Sequence, residues 1–274
     1  MQLKDCLNQV RQRCPLIHCI TNYVTVNDVA NALLACGGSP IMADEEAEVV
    51  EITTICGGLD LNIGTLNRRT ISSMLLAGKT AQSLGHPVLL DPVGAGASQL
   101  RTNTALTILR EVQPDVVRGN ISEIKTLAQG TGTTKGVDAD NADVVTAENL
   151  DQSVAFVKKF AQRTGSVIAV TGAIDLVSDG TRCFVIHNGR AEMGKITGTG
   201  CQLSAVLTAY LVANPGFPLE AAAAAVCMMG VAGEIAWRGL QPGEGNASYR
   251  DRILDAIFGM NGDTLEAEAR YEIR

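Results

Sequence analysis

The feature that most constrains this chain is a repeated switch of hydrophobic period. Short apolar runs at 15–20, 39–43, 59–64, 87–91 and 115–119 alternate with longer helical patterns at 24–38, 46–58, 68–85 and 99–112. The repeat is roughly 25–30 residues, the length of a strand, a crossover helix and two short loops. The runs are apolar throughout, with little of the in–out alternation of a half-exposed strand. Strands of that kind are buried on both faces, as in a parallel sheet covered by helices. The rhythm changes after residue 166. Runs at 166–172, 175–180 and 182–189 are separated by turns too short for a crossover, which predicts antiparallel strands at one edge. Helical patterns at 200–214, 218–239 and 247–260 close the chain. No linker composition interrupts it. The expectation is one α/β domain over 1–274, with a mostly parallel central sheet, helices on both faces and antiparallel edge strands.

Composition narrows the partners. Lys plus Arg is 22 and Asp plus Glu is 29, a net charge of −7, which argues against a nucleic-acid binder. Charged residues are only 19% and hydrophobic residues 46%, so part of the surface is expected to be covered by sister subunits. The eight cysteines form no CxxC pair and no metal-ligand spacing with the three histidines. Reduced, buried thiols of a cytoplasmic protein are expected. The N-terminal stretch 1–14 is amphipathic without an apolar signal core. The uncharged stretch 196–219 is broken by Gly, Asn and Pro, so no membrane span is expected.

In a wound parallel sheet, ligands gather at the carboxyl ends of the strands. The polar residues just after each run are therefore informative. Asp91 opens DPVGAG, Arg118, Asn120 and Glu123 lie in RGNISE, and Thr171 ends the 166–171 run. Two carboxylates on one rim, Asp91 and Glu123, suit Mg²⁺ held partly through water. An arginine beside them suits a polyphosphate. Taken singly, Asp91 also reads as a turn cap and Glu123 as an acid favoured by a helix dipole. A second constellation, ITGTGC at 196–201, leads into an apolar helix. A glycine-rich turn at a helix N-terminus offers amides to an anion. Cys201 at that position would have its thiol pKa lowered by the dipole; the alternative is a cysteine buried in the core. Walker, dinucleotide-binding, GxSxG and protein-kinase patterns are all absent.

Taken together, the segments 18–48, 61–67 (LNIGTLN), 91–98 (DPVGAGAS), 118–124 (RGNISEI), 135–139 (KGVDA), 170–180 and 196–203 (ITGTGCQL) resemble the hydroxyethylthiazole kinase family of the ribokinase-like superfamily. The resemblance covers nearly the whole chain, and its sharpest element is the cysteine closing GTGC, where most of the superfamily carries Asp. It implies phosphorylation of the hydroxyl of 4-methyl-5-(2-hydroxyethyl)thiazole by ATP with Mg²⁺, a salvage step feeding thiamine. By the same resemblance Met42 and Gly198 would touch the thiazole, and Arg118 and Thr171 would bind ATP. Asp91 and Glu123 would organise Mg²⁺, and Cys201 would occupy the place of the catalytic base. Members are similar to one another in forming homotrimers with active sites between subunits.

Two departures stand out: Cys19 replaces an Asn frequent in the family, and a polar tail follows Trp237. A thiol titrating near ~8.5 accepts a proton only when partly ionised, so Cys201 would serve either as base or as an orienting group for the hydroxyl. The nearest rival is a kinase for hydroxymethylpyrimidine or pyridoxal, against which GTGC rather than GTGD speaks. A nucleotide-dependent hydratase and a non-catalytic nucleotide sensor are the further alternatives.

Overall fold

A computed structural model describes residues 1–130 and 144–274. The stretch 135–139 and most of the polar segment 130–146 therefore lie outside the described residues. The elements in chain order are α1 (Leu3–Arg13), β1 (Leu16–Ile20), α2 (Val26–Cys36), β2 (Ser39–Met42), α3 (Val49–Ile55), β3 (Gly58–Asn62), α4 (Arg68–Leu84), β4 (Val88–Asp91), α5 (Gln99–Glu111) and β5 (Val116–Gly119). They continue with α6 (Ile121–Gln129), α7 (Leu150–Thr164), β6 (Val167–Val170), β7 (Asp175–Ser178), β8 (Cys183–Ile186) and a 3-10 turn at Ala191–Lys195. The chain ends with α8 (Thr199–Ala213), α9 (Pro218–Arg238), α10 (Asn246–Gly259), α11 (Gly262–Glu268) and β9 (Tyr271–Ile273).

The nine strands among the described residues form one sheet in the order β2-β1-β3-β4-β5-β6-β7-β8-β9. From β2 to β6 all neighbours are parallel; β7, β8 and β9 are antiparallel. The expected fold class is thus the observed one. The helix α7 and the last strand, β9, were not read from the sequence, and α6 was read only as the first helical turn carrying Glu123. The pattern at 46–58 forms a shorter helix than expected, because the chain must become extended at Cys56. A Cβ on Gly57 or Gly58 would collide with Val212 of α8, so β3 begins where α8 presses on bare backbone.

Helices cover both faces. One buried cluster joins α1, α2, α8, α9, α10 and α11 to the sheet, and the other joins α3 to α7. Apolar residues surround α8 and α9 on all sides, as in fully buried helices. α9 is long and apolar enough to cross a membrane, but it is sandwiched between the sheet, α1, α8 and α10. α8 lies across the middle of the sheet against β1, β3 and β4, with Gly58 under its C-terminal half. Its N-terminus therefore arrives at the carboxyl ends of β3 and β4.

Candidate active site

Asp91 ends β4 and is fully buried. Its Oδ2 accepts hydrogen bonds from Asn62 Nδ2 at 2.9 Å and Ser204 Oγ at 2.8 Å, and lies 3.5 Å from Arg118 Nη1. Its Oδ1 is buried with no partner among the described residues. Burial raises its pKa from the usual carboxylate value, against the pull of Arg118, Ser204 and Asn62. Asp60, one pleat earlier than Asn62 on β3, is also fully buried; burial and then Asp91 push its pKa well up.

Glu123 belongs to a capping box at the start of α6. Its Oε2 accepts from Asn120 N–H at 2.8 Å, while Asn120 Oδ1 accepts from Glu123 N–H at 2.8 Å. Its Oε1 reaches back to the loop after β4 and accepts from Gly94 N–H at 2.7 Å. Burial and then the nearby Asp91 raise its pKa to about 7. The acid expected in the first helical turn is thus also the residue that bonds the loop after β4, one carboxylate serving both loops.

Arg118 joins the rims of β5 and β6. Its Nη2 donates to Thr171 Oγ1, and its Nη1 faces Asp91. The guanidinium lies over the start of α8 where a Cβ on Gly200 would be, so a side chain there would displace Arg118 from the turn. Gly198 is the N-cap of α8 with φ of 87°, and a Cβ on it would strike Thr25. The amides of Thr199, Gly200 and Cys201 precede the first intrahelical bond of the turn, from Gln202 N–H to Gly198 O. That turn has the form of an anion site, with Arg118 laid beside it.

Cys201 is 8% exposed, and its Sγ accepts from Asn22 Nδ2 at 3.3 Å. Burial, followed by Asp91, pushes the thiol pKa up to about 11. The expected lowering by the helix dipole is thus outweighed, and the thiol is neutral at neutral pH. Asn22 Nδ2 also donates to Asn62 Oδ1 at 3.0 Å. A chain Cys201–Asn22–Asn62–Asp91 therefore runs from the helix N-terminus to the acid.

Met42 ends β2 and is separated from β4 by β1 and β3. It lines an open cavity of about 200 Å³ with Cys19, Thr21, Tyr23, Thr65 and Asn67. Cys19 stands in register between Met42 and Asp60, so the departure at position 19 lies in this cavity wall. Tyr23 and Thr65 are joined by a hydrogen bond from Tyr23 N–H to Thr65 Oγ1. Tyr23 itself is 78% exposed.

Asn22, Asn62 and Ser204, which bond the candidate residues Cys201 and Asp91, were not singled out in the sequence. Asn62 met the criterion that selected Asp91, a polar residue at a strand's carboxyl end. Ser204 gave no such signal, because it lies inside a helix. Among the described residues no group of three or more His, Cys, Asp or Glu side chains is placed to hold a metal. Mg²⁺ in a phosphate site needs no such cage: it takes one or two carboxylates, waters and substrate oxygens. The unpartnered Asp91 Oδ1 fits that requirement, as do the spare lone pairs of Glu123.

Residues 7–263 match the model of the hydroxyethylthiazole kinase family. The chain belongs to that family. It is 58% identical over 270 residues to the hydroxyethylthiazole kinase of Clostridium acetobutylicum, covering 98% of this chain and 99% of that protein. With the enzyme of the same name from Methanocella arvoryzae it shares 44% identity, covering 96% and 95%. A solved structure of the Pyrococcus horikoshii hydroxyethylthiazole kinase superposes with a TM-score of 0.87 at 35% identity, covering 99% of this chain and 98% of that one. Staphylococcus aureus pyridoxal kinase superposes with a TM-score of 0.62 at 14% identity, a likeness of fold alone. In family terms, the cysteine of GTGC sits where sequence placed it, at the start of α8.

Proposed function

We propose that this chain transfers the γ-phosphoryl group of ATP to the hydroxyl of 4-methyl-5-(2-hydroxyethyl)thiazole, with Mg²⁺, in salvage toward thiamine. The observation that carries the reading is the buried chain Cys201–Asn22–Asn62–Asp91, which joins the glycine turn of α8 to an acid beside Arg118. Family membership supports the substrate, and this geometry supports the assignment of the parts of the reaction.

Met42, Gly198 and the cavity around Cys19 hold the thiazole in this reading. Arg118 and Thr171 bind the triphosphate, with the first-turn amides of α8 facing the transferring group. Asp91 and Glu123 would hold Mg²⁺, which would supply neutralisation of charge on the phosphate oxygens. The alcohol oxygen forms a bond to γ-phosphorus as the bond to the β,γ-bridging oxygen breaks, and ADP leaves with that electron pair. In a loose transition state of this kind little covalent help is needed, and position and charge dominate. A thiol with a pKa of about 11 does not remove the proton early. Cys201 orients the hydroxyl, whose proton passes late, after the O–P bond has formed, to an oxygen of the transferred phosphoryl group and from there to water.

The whole chain acts as one catalytic domain in this reading, supported by the continuous sheet. It assembles as a homotrimer with sites between subunits, supported by large apolar side chains left exposed, Tyr23 of the cavity wall among them. Tyr23, Val24, Val50 and Ile55 are 78%, 60%, 41% and 63% exposed. The free cysteines fit a reducing cytoplasm. A turnover assay with ATP and the thiazole alcohol, beside pyridoxal and hydroxymethylpyrimidine, tests the substrate. Faster turnover of either rival would overturn the reading.

A further inference from the structure

Two loops separate the cavity from the acidic rim. One follows β3 and carries Gly64, Thr65 and Asn67; the other follows β4 and carries Val93 and Gly94. Arg101, in the first turn of α5, reaches both. Its Nη2 donates to Gly64 O at 2.6 Å and its Nη1 to Val93 O at 2.8 Å. Its backbone N–H donates to the N-cap Ser98 Oγ at 3.3 Å, which secures the helix start that carries it. Gly94 has φ of 72°, and a Cβ on it would lie 2.6 Å from Arg101 Nη1. The guanidinium therefore lies directly against bare backbone.

Each carbonyl that Arg101 holds adjoins a different half of the site. Gly64 N–H donates to Asn62 Oδ1 at 3.0 Å, and a Cβ on Gly64 would strike the Asn22 side chain. Asn22 bonds Cys201 and Asn62 bonds Asp91. On the other loop, the residue after Val93 donates its N–H to Glu123 Oε1. One planar fork thus connects the hydroxyl-facing Asn22–Asn62 pair to the Glu123–Gly94 pair. An ammonium on a lysine stem lacks the rigid two-pronged geometry that reaches both carbonyls at once.

We propose that Arg101 is a positioning residue for phosphoryl transfer, holding the loop of the alcohol cavity and the loop of the acidic rim at the spacing that brings hydroxyl and phosphoryl into line. It touches neither substrate in this assignment. The proposal rests on the functional reading above. Its mechanism is loop spacing, to which phosphoryl transfer is sensitive: a misplacement of about 1 Å costs roughly 100-fold in rate.

The test compares wild type with Arg101→Ala and Arg101→Lys, measuring kcat, KM for the alcohol, KM for Mg·ATP, and the folded fraction at the assay temperature. Both variants are expected to lose roughly 10- to 100-fold in kcat with a raised alcohol KM, at a folded fraction equal to wild type. Low-millimolar guanidinium is expected to restore part of the activity of Arg101→Ala, where it can refill the vacated space, and none in wild type. Unchanged kinetic constants overturn the proposal. So does a kcat that falls only in step with the folded fraction, with both KM values unmoved and no rescue. A folded wild type without turnover would defeat the functional reading instead. Arg101 is then judged by thermal protection from Mg·ATP: protection lost in Arg101→Ala while wild type keeps it supports loop positioning, and equal protection overturns it.

Discussion

Replacing Glu123 by Gln should remove the pH dependence of stability that this carboxyl contributes. The wild-type carboxyl has its pKa raised to about 7, against an ordinary value of 4.5. A raised folded-state pKa means that the folded protein binds the proton more tightly than the unfolded chain. Stability from this group is therefore greatest at low pH and is lost as pH rises from about 4.5 through about 7. With one pKa unit equal to about 1.4 kcal/mol, linkage between these two values removes about 2.5 kcal/mol of wild-type stability from pH 5 to pH 8. Gln does not titrate, so the variant escapes that loss.

It carries a separate, pH-independent cost. The carboxylate accepts two backbone N–H groups, from Gly94 and Asn120. A Gln amide accepts only one and turns its NH₂ toward the other, leaving that buried donor unsatisfied at about 1–3 kcal/mol. The variant should then be less stable than wild type at pH 5 and close to it at pH 8, both without metal. Urea unfolding in EDTA at several pH values reads this directly. A stability difference that stays constant from pH 5 to 8 would refute the reasoning. Turnover of the same variant should fall strongly and its Mg²⁺ titration should weaken; an unchanged Mg²⁺ titration would remove Glu123 from the metal site.

Three further outcomes follow from the same geometry. Cys201→Ala should lower kcat about tenfold, less than the roughly 10²–10⁴-fold expected for removing a general base, because the thiol is neutral. A loss near 10⁴-fold in a kcat measurement would restore the base role, and no loss at all would make it a core cysteine. Arg118→Lys should raise KM for ATP roughly tenfold or more, since one ammonium loses the simultaneous contacts to Thr171 and Asp91; an unchanged KM in steady-state kinetics would refute this. Sedimentation should give three copies of the 28.8 kDa chain, and a stable monomer at micromolar concentration would defeat the trimer.

The alternation of apolar runs and helical patterns was enough to reveal a helix-covered parallel sheet with an antiparallel edge, because burial on both faces leaves a mark in each strand separately. That Asp91, Glu123, Arg118 and Thr171 share one rim was legible for a related reason: each follows a strand end, and a strand end can be seen in one dimension. Helix α7 was not, since it follows the unassigned segment 130–146, and α6 was legible only as the turn that carries Glu123. β9 was missed because three exposed residues become a strand only when β8 offers them an edge.

What only the tertiary structure decided is the state and connection of the site residues. The sequence places Cys201 at a helix start, where the dipole argues for a thiolate. Packing of α8 against β3 and β4 buries the thiol near Asp91, and desolvation wins, because the cost of a buried charge exceeds what a helix terminus returns. Asn22, Asn62 and Ser204 lie 40 and 142 residues apart along the chain (62 − 22 and 204 − 62), yet they meet through a shared set of hydrogen bonds around Asp91. Residue type and local period are properties of a segment. Hydrogen-bond partners and desolvation are properties of the space that distant segments enclose, and they exist only once the sheet and α8 have closed over them.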